Sequence, residues 1–301
     1  MQSRRFSKLI PWLFAAPALI ALALFFVYPT IVTIILSFTR GTITTPAKEF
    51  VGLDNYRILL TEDRFFLSFE DGVFSGALVN SFAWLILFPT AVVLIGLLVA
   101  VLADKVKYEA IIKSIMFMPM AISATAAAVI FRLLYNQDPN LGSLNALLRA
   151  FFPDFQPIAF LGSVEFANLA VIFAGVWIST GLSVVVLSAA YKAIPAEIHE
   201  AGRIDGANAW QLFWRVSAPM LSGPVTFIAV TMIINALKMI DLVLVMTKGA
   251  PRGATRIIGY TVFWEIFNNN RSGYGSAVAV ILLILVLPFI IYQVRRVRRE
   301  L

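Results

Sequence analysis

The chain has 301 residues, of which 60% are hydrophobic and 14% charged, with a mean hydropathy of +0.86. Soluble domains carry about 45–50% apolar and about 25% charged residues, so a water-soluble enzyme with one packed core is excluded, as is a disordered chain. With no cysteine and a single histidine, His199, the sequence offers no disulfide, no thiolate nucleophile, and neither a cysteine-based nor a two-histidine metal site. The composition defines an integral membrane protein.

A bilayer core about 30 Å thick takes about 20 apolar residues in a helix. Six charge-free stretches meet that length. They lie between Lys8 and Arg40, Asp71 and Asp104, Lys113 and Arg132, Glu165 and Lys192, Arg215 and Lys238, and Arg271 and Arg295. The first has 31 residues, too long for the 7–15-residue apolar part of a signal peptide, and reads as a retained helix. Membrane strands are shorter and alternate in polarity, so the fold class is all-α with six transmembrane helices. Pro17, Pro29, Pro89 and Pro119 sit within or at the ends of spans, where membrane bundles tolerate kinks.

Lys and Arg set the orientation. Both termini and the two connections on their side carry 13 basic residues in 56 positions, against nine in the 101 positions of the other three connections. Both termini are therefore expected in the cytoplasm. The same bias accounts for the net charge of +7 without any nucleic acid.

The outer connections are short. Thr39–Ser75, with six acids and four bases, reads as a small packed cap; Tyr135–Ser163 holds a short helix over Leu144–Phe152; Thr247–Ser276 opens on Lys-Gly-Ala-Pro. None reaches the size of a soluble catalytic domain. Near the outer end of the fifth span, Lys238 and Asp241 stand three apart, close enough to pair on one helix face. Arg132 at the outer end of the third span is expected to snorkel.

The inner connection from Lys192 to Pro219 is the longest on its side. Pro195 can occupy a first helical turn, and Ile198, Ala201 and Ile204 form a small apolar stripe. Gly206 then breaks or bends the helix, and Pro219 marks entry to the fifth span. Spacing alone leaves two readings open, a surface helix that shields the bundle or a helix presented to a cytosolic partner.

Glu200-Ala201-Gly202, Asp205-Gly206-Ala207, Phe213 and Pro219 together resemble the EAA loop of permease subunits of binding-protein-dependent ABC importers. The third position is Gly202 where the family pattern has Ala. Other pieces agree in order: Phe50-Val51-Gly52-Leu53-Asp54-Asn55-Tyr56, Met118-Pro119, and Asp241 followed by Met246-Thr247-Lys248-Gly249-Ala250-Pro251. The chain looks most like the first permease of maltose-type carbohydrate importers, and, from Val101 through Ser123, like α-glucoside and glucosylglycerol permeases.

The resemblance implies a MetI-like type I importer permease in a bacterial inner membrane, with residues 1–301 as one permease domain and core spans over about 72–295. It implies a heterodimer with a second permease, two copies of a cytosolic ATPase that bind ATP and magnesium, and an extracytoplasmic solute-binding protein. Residues 192–219 would couple to the ATPase through Glu200, Ala201, Gly202, Asp205, Gly206 and Ala207. The chain has no G-x-x-x-x-G-K-[ST] loop of its own, so it is expected to have neither a cofactor nor a catalytic role.

By the same resemblance, the path for a small carbohydrate falls on Met120 and Ala124, then Gly175, Ser179 and Leu182, then Met232, Asn235, Ala236 and Met239. The last four share one face of a continuous helix by spacing. Several are aliphatic where the maltose-type pattern is polar or aromatic, and each also fits close helix packing. An ion-coupled carrier would need intramembrane acids or unwound helix pairs, and a membrane enzyme would need clustered His, Asp or Glu; either leaves the EAA-like loop unexplained.

Overall fold

The computed structural model describes residues 3–70, 73–104 and 106–300. Asp71, which bounds the second expected span, and Lys105, in the basic inner connection, lie outside them. The chain divides into two compact units, Met1–Glu62 with Thr261–Leu283 and Asp63–Tyr260 with Ile284–Leu301.

Helices account for nearly all of the regular structure. In order they are α1 (Ser3–Leu22), α2 (Tyr28–Leu36), α3 (Asp54–Thr61), α4 (Ala77–Ala103), α5 (Glu109–Phe117), α6 (Ala124–Leu134), α7 (Ser143–Phe151) and α8 (Val164–Lys192). There follow α9 (Ala196–Ile204), α10 (Ala209–Leu212), α11 (Ala218–Met220), α12 (Ser222–Ala236), α13 (Ile240–Met246), α14 (Ile258–Phe263) and α15 (Ser272–Glu300). Two small antiparallel hairpins lie in the first outer connection: β1 (Thr39–Arg40) with β2 (Glu49–Phe50), and β3 (Ser68–Glu70) with β4 (Val73–Ser75).

Among the described residues, four helices are long and apolar enough to cross a membrane unbroken: Trp12–Leu36, Ala77–Ala103, Val164–Lys192 and Ser272–Arg296. The other two expected spans are bent pairs. Glu109–Ala121 and Ala124–Leu134 meet at 102°, and Ala209–Met220 and Ser222–Ala236 at 70°. The third span is thus not a straight helix. At Met118-Pro119 the chain tightens into a 3₁₀ turn, Ile122 is extended, and the Ser123 hydroxyl restarts the helix by accepting from the Ala126 N–H at 3.2 Å.

In the larger unit, α4 and α8 form the central pair. A Cβ at Gly96 would fall 2.0 Å from Ser183 Oγ, and one at Gly181 would fall 2.7 Å from the Met116 carbonyl oxygen. Such close approach of backbones is what small residues provide in a membrane bundle. The Trp84 indole, fully buried, donates to Asn168 Oδ1 at 3.0 Å across the pair. Near the N-terminal end of α4, the Asn80 amide donates to the Gly253 and Arg256 carbonyls, and Ser81 Oγ accepts from the Ile258 N–H. The Thr247–Pro251 turn is held from within its own unit: Thr255 bonds Thr247 Oγ1 at 2.7 Å and the Ala250 carbonyl at 2.8 Å. The Tyr260 hydroxyl, its pKa raised by burial, donates to the Lys248 carbonyl. Buried Asn145 ties the Tyr135–Ser163 connection by bonding Asn136 and both backbone groups of Ile158.

In the smaller unit the Val51–Tyr56 motif is structural. Buried Asn55 donates to the Ser37 and Thr39 carbonyls, and the Tyr56 hydroxyl donates to Ser37 Oγ at 2.7 Å. Ser272 returns to the same hairpin, bonding the Thr42 carbonyl, while Asn270 accepts from the Ile43 N–H. Glu265 is buried within a π-helical turn, where Asn269 and Arg271 donate to it. Its charge is thereby compensated inside the unit.

Candidate functional site: the coupling segment and the helix breaks

The connection from Lys192 to Pro219 folds as a helix, a tight turn and a second helix. Pro195 stands immediately before α9 as its N-cap, with ψ 135°, one position ahead of the expected first turn. At the other end Gly206 has φ +80°. Its N–H bonds the Arg203 carbonyl, and the Ala207 N–H bonds the Gly202 carbonyl, both at 3.0 Å, which together form a Schellman motif. Only glycine adopts that φ without strain. Asn208 then starts α10 with a reciprocal capping box to Gln211.

Gly202 has its own reason. A Cβ there would lie 2.5 Å from Leu212 Cδ1, so Leu212 packs over the space a larger residue would fill. The departure from the family's alanine is thus matched by a leucine ten residues on.

The two faces of α9 differ. His199 and Gly202 turn inward: His199 Nε2 lies 3.3 Å from Ser217 Oγ, with the His199 ring 5.7 Å from that of Tyr191. Glu200, Ala201 and Asp205 are exposed, and Ile204 is 86% exposed. The Glu200 and Asp205 carboxylates have no ion-pair partner among the described residues. The apolar stripe therefore does not shield its own bundle. It faces outward with two unpaired acids beside it.

Beyond α10, a π-helical turn (Phe213–Ser217) and α11 lead to the 70° corner at Leu221. Pro219 lies two residues before that corner, so it precedes the bend and does not itself open α12.

The residues expected along the solute path fall at the two helix breaks and on α8. Met120 is in the 3₁₀ turn and 43% exposed, and Ala124 is the first residue of α6. Gly175 is buried, with Ser179 and Leu182 half-buried below it on α8. Met232 and Ala236 are buried on α12, and Asn235 is half-exposed.

Met239 is a correction. α12 ends at Ala236, and Met239 is the N-cap of α13 with ψ 51°, so the four residues from Met232 do not share one helix face. The same break separates Lys238 from Asp241. Both are exposed, and no ion pair joins them among the described residues. The break brings Met239 to α8 instead: its sulfur would sit 3.1 Å from a Cβ on Gly175, beside Phe88 and Leu242. The end of α5 crosses α8 at Gly181, next to Leu182.

Sequence reasoning missed a cavity of about 610 Å³ at the C-terminal end of α6. It is lined by Arg132, Tyr135, Asn136, Gln137 and Met246, among others. The run Tyr135-Asn136-Gln137 directly after an apolar helix was the available signal, an aromatic face followed by two amides.

Comparison with known proteins now adds to this geometry. Residues 92–299 match the model of the "Binding-protein-dependent transport system inner membrane component" family. The "Osmoprotective compounds uptake permease protein GgtC" of Synechocystis sp. is 40% identical over 292 residues, covering 96% of this chain and 99% of that one. The "Alpha-glucoside transport system permease protein AglF" of Rhizobium meliloti is 36% identical over 296 residues, covering 96% of this chain and 83% of that one. A bacterial alginate ABC transporter, solved with an alginate pentasaccharide-bound periplasmic protein, contains a chain of the same fold, with a TM-score of 0.80 at 17% identity and coverage of 100% and 98%.

The chain belongs to the family of inner-membrane components of binding-protein-dependent transport systems. It is a multi-pass permease subunit of an ABC importer, and ATP hydrolysis is the work of a separate ATPase. The ion-coupled carrier is not favoured.

Proposed function

We propose that this permease forms, with a second and different permease, the path for a small carbohydrate such as an α-glucoside, an oligosaccharide or a glucosylglycerol-like glycoside. Two copies of the ATPase, binding ATP and magnesium, drive it, and an extracytoplasmic binding protein delivers the solute. Both termini and residues 192–219 face the cytoplasm, and residues 1–301 act as one permease domain. The names of the relatives support the solute class, an α-glucoside in one and osmoprotective compounds in the other.

One observation carries the coupling role. The stripe Ala201 and Ile204, flanked by Glu200 and Asp205, is turned away from its own chain. The two carboxylates are free to take charge-assisted hydrogen bonds from a partner. The path reading rests on the two breaks, at Met118–Ser123 and at Leu237–Met239, since non-helical backbone at membrane depth is found where it lines a cavity. The cavity at the C-terminal end of α6, with Tyr135, Asn136 and Gln137, is where a polyol would enter.

The test is ATPase activity of the reconstituted complex with its binding protein and a panel of disaccharides and glycosides. One solute should stimulate hydrolysis in the wild type, and Glu200→Ala with Gly206→Arg should abolish the stimulation while the complex still purifies intact. Solute movement without any ATPase, unaffected by the double substitution, would overturn the reading.

A further inference from the structure

Behind the coupling helix, on the side away from Ala201 and Ile204, two cavities adjoin. The first is small, about 120 Å³, and sets Tyr191, His199, Arg203 and Ser217 among apolar side chains. The second is a groove of about 500 Å³ walled by Leu94, Leu98 and Leu102 of α4 and by Trp210 and Trp214. Val101, Ala209 and Phe213 line both, so the smaller cavity opens at the end of the apolar groove.

The chemistry of each part is distinct. Leu94, Leu98 and Leu102 recur every four residues on one face of α4 and are 57%, 60% and 54% exposed. Trp210 and Trp214 flank them in an edge-on pair, the residue type that sits at the headgroup level of a bilayer. The polar end offers donors: the Arg203 guanidinium, the Tyr191 hydroxyl, and the Ser217 hydroxyl beside His199. Arg203 has no carboxylate within ion-pair distance among the described residues, and Asp104, whose charge reaches Tyr191, lies 3.9 Å from the Lys192 ammonium. The Arg203 guanidinium at this end is therefore open to an anion.

We propose that this double cavity is a binding site for an anionic phospholipid of the adjoining leaflet. The phosphodiester accepts hydrogen bonds from Arg203, Tyr191 and Ser217, and an acyl chain runs along the leucine face under the two tryptophans. A purely apolar occupant, such as a helix of the second permease, would fill the groove but offer the Arg203 guanidinium at its end no anion. A lipid satisfies both ends. The proposal rests on the cytoplasmic placement of residues 192–219. It ties the occupancy of one lipid to the element read as the coupling helix, because Arg203 and His199 belong to α9 while the leucines belong to α4.

The test is lipid retention by the intact transporter complex, read by native mass spectrometry after exchange into palmitoyl-oleoyl phosphatidylglycerol or phosphatidylcholine. The wild type should retain phosphatidylglycerol about tenfold over phosphatidylcholine, the scale set by one charge-assisted contact. Arg203→Gln should remove that preference, and Leu98→Trp, which fills the groove from an exposed position, should lower retention of both lipids. Equal retention of the two lipids by the wild type, or retention unchanged in both variants, overturns the site. So does efficient crosslinking of Leu98→Cys to the second permease, a clean experiment in a chain without native cysteine. Trp210→Cys, probed with an impermeant maleimide on spheroplasts and on inverted vesicles, reads the placement separately. Labelling only from outside overturns the placement, whereas a lost lipid preference with labelling from inside overturns the lipid site alone.

Discussion

The first span, Trp12–Leu36, and α8 are of similar length and both strongly apolar, yet none of the first is buried within the chain and 61% of the most apolar stretch of α8 is. Their side chains explain the contrast. α8 places Gly175, Gly181 and Ser183 where neighbouring helices approach, while the first span presents Leu24, Phe25 and Phe26. Apolarity takes a helix into the bilayer; side-chain size determines whether protein packs against it.

Substitutions can break or sharpen that contrast, with thermal unfolding of the purified chain in detergent as the common measurement. Gly181→Leu should have the largest effect, a loss of about 3 kcal/mol, because the added Cβ would meet the Met116 carbonyl and the Phe117 Cα, neither of which is a flexible side-chain end. A variant as stable as the wild type would show that α5 and α8 are not in close contact. Trp84→Phe should cost about 1–2 kcal/mol by leaving the Asn168 amide without its donor inside the bundle. If Asn168→Leu in the Trp84→Phe background fails to recover stability, the hydrogen bond is not what was lost.

Ser183→Ala tests the same helix in the other direction. Ser183 Oγ is buried with no hydrogen-bond partner among the described residues, so its removal should be neutral or stabilise by up to about 1 kcal/mol. A clear destabilisation would mean that the hydroxyl is satisfied in the membrane. Phe25→Ala should move the transition least, within about 0.5 kcal/mol, because Phe25 is 74% exposed. A large shift there would make the first span part of the core and end the contrast.

The spans, the connections and the turn within residues 192–219 were legible because each depends on local composition. Charge gaps fixed the helices, Gly206 marked a turn that needs positive φ, and Leu144–Phe152 anticipated α7 to within one residue. The break after Ala236 was not legible. Neither proline nor glycine lies between Asn235 and Asp241, and continuous 3.6-residue spacing placed Met239 on a face it does not share and paired Lys238 with Asp241. Pro119 did signal the other break, although a proline alone does not foretell a 102° turn. Gly202 was legible as small, but not as the seat of Leu212, which requires the fold of the whole turn.

The 70° corner at Leu221 gives this arrangement a mechanical character. α9 has only nine residues and would not hold its shape alone, but Leu212 seated on Gly202 and the back-to-back caps at Gly206 and Asn208 stiffen it against α10. A rigid arm joined at an angle to a longer rod behaves as a crank. On the proposed coupling role, a displacement imposed at Ile204 would reach α12 as rotation and tilt; the far end of that rod is the break at Leu237–Met239 beside Gly175.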